Sequence, residues 1–283
     1  DLFEFHTLVV KSNKYPEYTQ DYMGLRESLV ELAAKMGENV ENELHVSFSF
    51  LYGIVLLRMQ KKEISEDTLN ILKNFSTINS SMMFKEGDVI STVSPRKNIL
   101  AKAQVSESFE RNFGIYEPNR FISVLDLFED PEVNINATSL DIVDNNGQKT
   151  RYGYADESII TKPPEKSPNF PEAEIQFKLS YDILQKVQRA CGVMSLPEIA
   201  VVGDGETIKL TALDVKNDSS DTFSMTVGET DAEFRMIFKT ENLKLINGDY
   251  NVQISSKGIS HFKSVDANLE YWIALESNSQ YNS

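Results

Sequence analysis

From Ser65 to Phe75 the apolar positions fall at Leu69, Leu72 and Phe75, with Asn70 and Lys73 on the other side, the spacing that buries one face of an α-helix. The serine ahead of them is a natural N-cap, and Glu66 and Asp67 put negative charge in the first turn, where the helix dipole favours it. The chain then predicts a strand, an acidic Gly turn and another strand through Met82 and Ile90. The same succession returns in the second half. Ser180 precedes a helix with Ile183, Leu184 and Val187 inward and Lys186 and Arg189 outward, and Ile199 to Ile208 reads as two strands about an Asp-Gly turn.

The later portions repeat as well. Phe113-Gly114-Ile115 leads into a helix predicted over 118–128 and a strand over 132–136, while Phe234 to Phe238 leads into a helix predicted over 240–246 and a strand over 250–255. Asn119, Arg120 and Ser123 fall outside Phe121, Leu125 and Phe128; Lys239, Asn242 and Lys244 lie beside Leu243 and Leu245. A repeat of this length is a domain, far longer than a solenoid unit, and two such domains account for most of the 283 residues. The fold class is therefore α+β with two similar domains, and two similar domains in one subunit point to a ring.

Composition narrows the function. Hydrophobic residues make up 41% of the chain, enough for packed cores, yet no apolar run is long enough to span a bilayer as a helix; 46–57 is apolar over about half that length and reads as a buried element. Asp1-Leu2-Phe3-Glu4-Phe5 has no basic n-region and does not read as a secretory signal. One cysteine, Cys191, leaves no internal disulfide and sits on an apolar helix face as a core residue. His6, His45 and His261 stand in separate contexts, and no metal-ligand spacing, GxSxG, HExxH or GxxxxGK[ST] is present. The acidic run 126–132 and the turn 141–146 read as solvated charge. The expectation is a protein that is not an enzyme and uses no cofactor or metal.

A net charge of −15 argues against a nucleic-acid partner by its sum, since non-specific DNA binding is built on Lys and Arg. Its distribution argues otherwise, because the outer faces of all four repeated helices carry at least one cation.

At this point the chain resembles a family. The run Leu72 to Ser80, the segment Ile115-Tyr116 through Asn119-Arg120-Phe121, the connector ending Asn169-Phe170-Pro171, Asn247-Gly248-Asp249-Tyr250, and Tyr271-Trp272-Ile273-Ala274-Leu275-Glu276-Ser277 are similar to the DNA polymerase sliding clamps of T-even-type bacteriophages. That resemblance implies a homotrimeric ring in the infected host's cytoplasm, with helices lining a hole for double-stranded DNA and antiparallel sheets outside. Its partners would be the replicative DNA polymerase, an ATP-dependent clamp loader and a late-transcription apparatus, and no membrane. Twelve helices side by side leave a free bore of about 28 Å, wide enough for a duplex, whereas eight leave about 15 Å. By position, the resemblance makes Lys73, Arg120, Lys186, Arg189, Lys239 and Lys244 the DNA-facing cations. The connector, about 156–171, is too proline-rich for helix, and Ile159, Ile160, Trp272 and Ala274 are the candidates for a partner-peptide pocket beside it. Trp272 reads equally as a core aromatic.

The boundaries follow as clamp domains over 59–168 and 169–283, with 1–58 an extra, mostly helical segment. Within that segment 18–35 has a helical pattern and 41–57 is a second candidate element; Asp1 to Phe5 has the apolar and acidic look of a clamp-binding peptide. The segment is either a fused accessory domain or residues from an adjoining reading frame, and the second is preferred. The rival to an encircling clamp is a non-encircling acidic protein-interaction module.

Overall fold

The structure is a computed structural model and describes residues 63–282; the elements expected at 18–35 and 41–57 lie outside them. In chain order it contains α1 (Glu66–Ile78), β1 (Met82–Phe84), β2 (Gly87–Val93), β3 (Ile99–Phe109), β4 (Phe113–Ile115), α2 (Pro118–Leu125), β5 (Glu132–Ile135), β6 (Ser139–Val143) and β7 (Lys149–Gly153). After a 3-10 turn (Glu157–Ile159) come β8 (Ile175–Leu179), α3 (Tyr181–Met194), β9 (Glu198–Asp204), β10 (Thr207–Leu213), β11 (Phe223–Glu229) and β12 (Glu233–Lys239). A second 3-10 turn (Thr240–Asn242) precedes β13 (Tyr250–Ser255), β14 (Ile259–Ser264), β15 (Leu269–Ala274) and β16 (Gln280–Asn282).

Both serine caps form as the sequence predicts. Ser65 Oγ accepts from the Thr68 amide at 3.3 Å and Ser180 Oγ from the Ile183 amide at 3.4 Å. The first cap is reinforced from the sheet, because Glu107 on β3 accepts from the Ser65 amide and the Thr68 hydroxyl, each at 2.5 Å. Burial pushes the Glu107 carboxyl up, but these hydrogen bonds outweigh it and hold the group below the usual carboxylate range. Leu72, Phe75 and Ile78 of α1 and Leu184, Val187 and Cys191 of α3 are buried, as the periodicity required.

The strands form four sheets, and one of them joins the halves. Its order is β2-β3-β15-β14-β13-β8, so at its middle β3 of the first half pairs antiparallel with β15 of the second, from Leu269 opposite Ala103 to Ile273 opposite Ile99. A five-stranded sheet, β11-β10-β9-β12-β16, belongs to the second half, and β5-β6-β7 to the first. One hydrophobic core runs through both halves, from Leu72 and Phe75 to Val187 and Tyr271.

Four local expectations are corrected. Thr240 to Ile246 is not a helix: helical turning ends at Asn242, and the chain to Asp249 runs free of regular structure. Asn242, expected on an outer face, is buried. The strands flanking the Lys85-Glu86-Gly87 turn do not pair with each other as β9 and β10 do; β1 pairs with β4, Met82 opposite Ile115, and β2 with β3. Gly87, with φ of 111°, carries the chain from one sheet to the next in a conformation that favours glycine. The helix predicted over 118–128 ends at Leu125.

Candidate functional site

The three helices and the 243–246 segment are joined edge to edge by side-chain bonds. Ser76 of α1 donates to Asn119 of α2 at 2.6 Å, Asn74 of α1 donates to the Lys244 carbonyl at 3.0 Å, and Gln188 of α3 donates to the Leu243 carbonyl at 2.9 Å. The order across this layer is thus α2, α1, the segment and α3, with buried faces on the sheets and Lys73, Arg120, Lys186 and Arg189 exposed. The six cations are not equivalent. The Lys73 ammonium and the Arg189 guanidinium engage no partner among the described residues. Arg120 lies 3.5 Å from Glu117 and Lys186 2.6 Å from Asp182, both solvent-exposed pairs that a phosphate can compete for. Lys239 ends strand β12 rather than lying on a helix, and it faces Glu276 at 3.8 Å. Lys244 donates to the Thr77 carbonyl at the end of α1, where the helix dipole favours a cation.

The four pocket candidates separate into two places. Ile160 is buried against Gly114 of β4, and a Cβ on that glycine would collide with its Cδ1; Ile159, next to it, is 57% exposed. Trp272 is buried in a separate cluster with Val93 and Leu100, on which Ile259 and the connector's own Phe170 pack. Ala274 lies two residues further along β15, and its amide donates to the Asn98 carbonyl at 2.9 Å.

His261, which the sequence gave no reason to single out, stacks on Trp272 with centroids 4.9 Å apart and planes within 6°. Phe170 closes on the same imidazole at 5.7 Å. The ring nitrogens face Glu270 at 3.5 Å and Gln253 at 3.4 Å. Burial pushes the imidazole below its ordinary value, against the opposing pull of Glu270. The only sequence signal for this group was the alternation of β14 and β15, which puts His261 and Trp272 on one face as directly opposed residues. No group of His, Cys, Asp and Glu able to hold a metal occurs among the described residues, and none of their helices is long and apolar enough to cross a membrane.

Comparison with known proteins places this architecture. The family described as DNA polymerase processivity factor matches residues 61–162, and the family described as gp45 sliding clamp, C terminal, matches 176–277. A domain of unknown function matches 1–86. The sliding clamp of Vibrio phage KVP40 is 34% identical over 222 residues, covering 76% of this chain and 99% of that protein. The sliding clamp of Enterobacteria phage T4 is 28% identical over 228 residues, covering 78% and 99%. Among solved structures, A. fulgidus PCNA bound to the C-terminal region of FEN-1 superposes with a TM-score of 0.57 at 16% identity, over 75% of this chain and 96% of that one. The Helicobacter pylori beta clamp bound to a DNA ligase peptide also gives 0.57, at 13% identity, over 76% of this chain and 65% of that one. The clamp architecture, matched over about three quarters of the chain by phage relatives, is that of a non-enzymatic replication factor: the chain belongs to the sliding clamp family of bacteriophage DNA polymerase processivity factors.

Proposed function

We propose that three copies of this chain close into a ring around duplex DNA and hold the replicative DNA polymerase on its template. The observation that carries this reading is the β3 to β15 seam and the repeat it belongs to. In the second half β11 occupies the place of β3, each being the third strand after its half's first helix. In the first half β7 occupies the place of β15, each ending a three-strand meander, β5-β6-β7 and β13-β14-β15. Among the described residues both are edge strands, β11 paired with β10 and β7 with β6, so each offers a row of backbone groups for a further strand. Pairing β11 of one copy with β7 of the next repeats the internal seam as a head-to-tail contact, and such contacts generate a ring when the rotation closes. Three internal and three external seams close six similar domains, 59–168 and 169–283 of each copy, with 1–58 an extra segment.

The bore would be lined by three helices and one irregular segment from each subunit, in place of four helices. Lys73 and Arg189, with Arg120 and Lys186 beside them, would attract phosphates without reading bases, which lets a closed ring slide; the acidic remainder of the surface would repel DNA and keep it inside. Lys239 and Lys244 are weaker candidates, because Lys239 ends a strand beside Glu276 instead of lying on a helix and the Lys244 ammonium donates to Thr77. Partner peptides of the polymerase would dock beside the connector near Trp272, with Ile159 and Ile160 at its start. The family resemblance adds an ATP-dependent loader, a late-transcription apparatus and a site of action in the cytoplasm of the infected host. The test is sedimentation equilibrium over a wide concentration range on the full chain and on a chain starting at Met59. A trimer in both supports the ring, and a trimer only in the shorter chain makes 1–58 a block on closure. A monomer in both at high concentration overturns it in favour of a non-encircling interaction module.

A further inference from the structure

By the repeat, the chain beyond Lys239 belongs to a helix matching α2, and after the Thr240–Asn242 turn it is not one. A stretch without helical bonds must satisfy its backbone groups elsewhere. Here they are met from both halves of the subunit. The Leu243 carbonyl accepts from Gln188 on α3 and the Lys244 carbonyl from Asn74 on α1. The Ile246 amide donates to the Tyr271 hydroxyl at 3.2 Å, and its carbonyl accepts from the Tyr250 hydroxyl at 2.6 Å. Buried Asn242 accepts from Asn98, on the β2 to β3 turn, at 3.0 Å, and the Lys244 ammonium reaches back to Thr77. Asn74 is the crossing point. Its Nδ2 donates to Lys244, while its Oδ1 accepts from the fully buried Tyr271 hydroxyl at 2.9 Å.

We propose that the 241–246 segment is a clasp between the two halves, with Asn74 as its positioning residue: it fixes the angle between them, so that a ring opens at the seams between subunits and not within a chain. The proposal rests on the ring reading only for the second of these consequences. The clasp has no slack, because Asn74 uses both ends of its amide and Tyr271 both donates and accepts; losing any one partner leaves a buried polar group unpaired. Burial also pushes the Tyr271 and Tyr250 hydroxyls up, which keeps both protonated as donors at neutral pH. The segment is irregular because it serves long-range partners, and Lys244 is drawn away from the DNA-facing set by the same role.

The test uses Asn74→Asp, which keeps the acceptor for Tyr271 but turns the donor into a carboxylate oxygen against the Lys244 carbonyl, and Tyr271→Phe, which removes one hydroxyl. Both are made in the full chain with Cys191→Ala and spin labels at Ser123→Cys on α2 and Gln185→Cys on α3, diluted into unlabelled chains. The expected results are a broader distance distribution between the labels in both variants and amide exchange at Ile246 about tenfold faster in Tyr271→Phe. An unchanged distance distribution in the variants that fold overturns the clasp, and Tyr271→Phe serves alone if Asn74→Asp does not fold. Because the distance is measured within one chain, failure of the unaltered protein to trimerise would strike the ring reading and leave the clasp to be judged by the labels.

Discussion

Replacing Lys73 and Arg189 by alanine removes two unpartnered cations from each subunit, about six from a three-subunit ring. Each phosphate contact contributes about −0.9 to the slope of log affinity against log salt, so six engaged cations would give a slope of about −5. Raising salt from about 50 to 200 mM would then weaken DNA binding by about a thousandfold. A duplex of roughly 20 Å in a wider bore meets only part of the lining at once, so the double variant is expected to flatten the slope by about 2 to 5. Arg120 and Lys186 remain, already shared with Glu117 and Asp182. The assay is fluorescence anisotropy of a labelled linear duplex across this salt range, with sedimentation run in parallel to show that assembly is unchanged. Lys239→Ala with Lys244→Ala is the control, and it is expected to leave the slope nearly alone, since Lys239 sits at a strand end beside Glu276 and the Lys244 ammonium donates to Thr77. An unaltered slope in the Lys73 and Arg189 variant, or a flatter one in the control, would refute the reasoning. The stronger perturbation, glutamate at Lys73, Lys186 and Arg189 together, is expected to slow loading on primed DNA; unchanged loading would remove these residues from the bore.

Four further outcomes are expected. Phe75, fully buried and edge-on to Tyr271 at 6.3 Å, should cost about 3–5 kcal/mol as Phe75→Ala in urea unfolding, and a loss under 1 kcal/mol would contradict its place in the core. A Cβ on Gly203 would lie 2.7 Å from the Ala232 carbonyl, which is backbone and cannot swing aside, so Gly203→Ala should destabilise by about 1–3 kcal/mol. Gly114→Ala meets mainly the flexible end of Ile160, so its expected effect is a smaller stability loss with faster amide exchange at the start of the connector. For His261 the folded value lies below the ordinary 6.5, so above 6.5 both states are neutral, and as pH falls through it the unfolded chain takes up the proton first and stability declines. His261→Phe should lose that part of the decline when urea midpoints are compared between pH 7.5 and 5, and parallel curves for the two proteins would refute it.

The parts of the fold legible in the sequence are those whose causes are local. Ser65 and Ser180 cap helices because the hydroxyl and the amide it serves are three residues apart, and Leu72, Phe75, Leu184 and Val187 are inward because helical spacing puts them there. The outward Lys73 and Arg189 follow from the same spacing. What escaped the sequence has distant causes. Leu243-Lys244-Leu245-Ile246 has an acceptable helical composition, yet its backbone is bonded by Gln188, Asn74, Tyr250 and Tyr271, partners up to 170 residues away. Met82 to Ile90 looked like a hairpin because it carries an acidic Gly turn, but β1 pairs with β4, where Phe84 stacks on Phe113 with centroids 4.6 Å apart, and β2 pairs with β3. His261 gave no signal because its significance lies in two rings, Trp272 and Phe170, that the sheet and the connector deliver from elsewhere.

This division has a functional consequence. A closed ring needs its subunits stiff and its seams separable, and the two requirements fall on different kinds of contact. Within the chain the halves share a five-pair ladder of β3 and β15, a common hydrophobic interior and the buried bonds around Asn74 and Tyr271, none of which can be lost without exposing apolar surface or stranding a buried polar group. At the free edges of β7 and β11, alternate side chains are solvent-exposed, Lys149 and Arg151 on one and Ser224 and Thr226 on the other, so backbone pairing there would bury less apolar area per strand. In the proposed ring the same strand-pairing geometry would be permanent inside the subunit and reversible between subunits. A loader that opens such a ring would act on the seam that costs least to break.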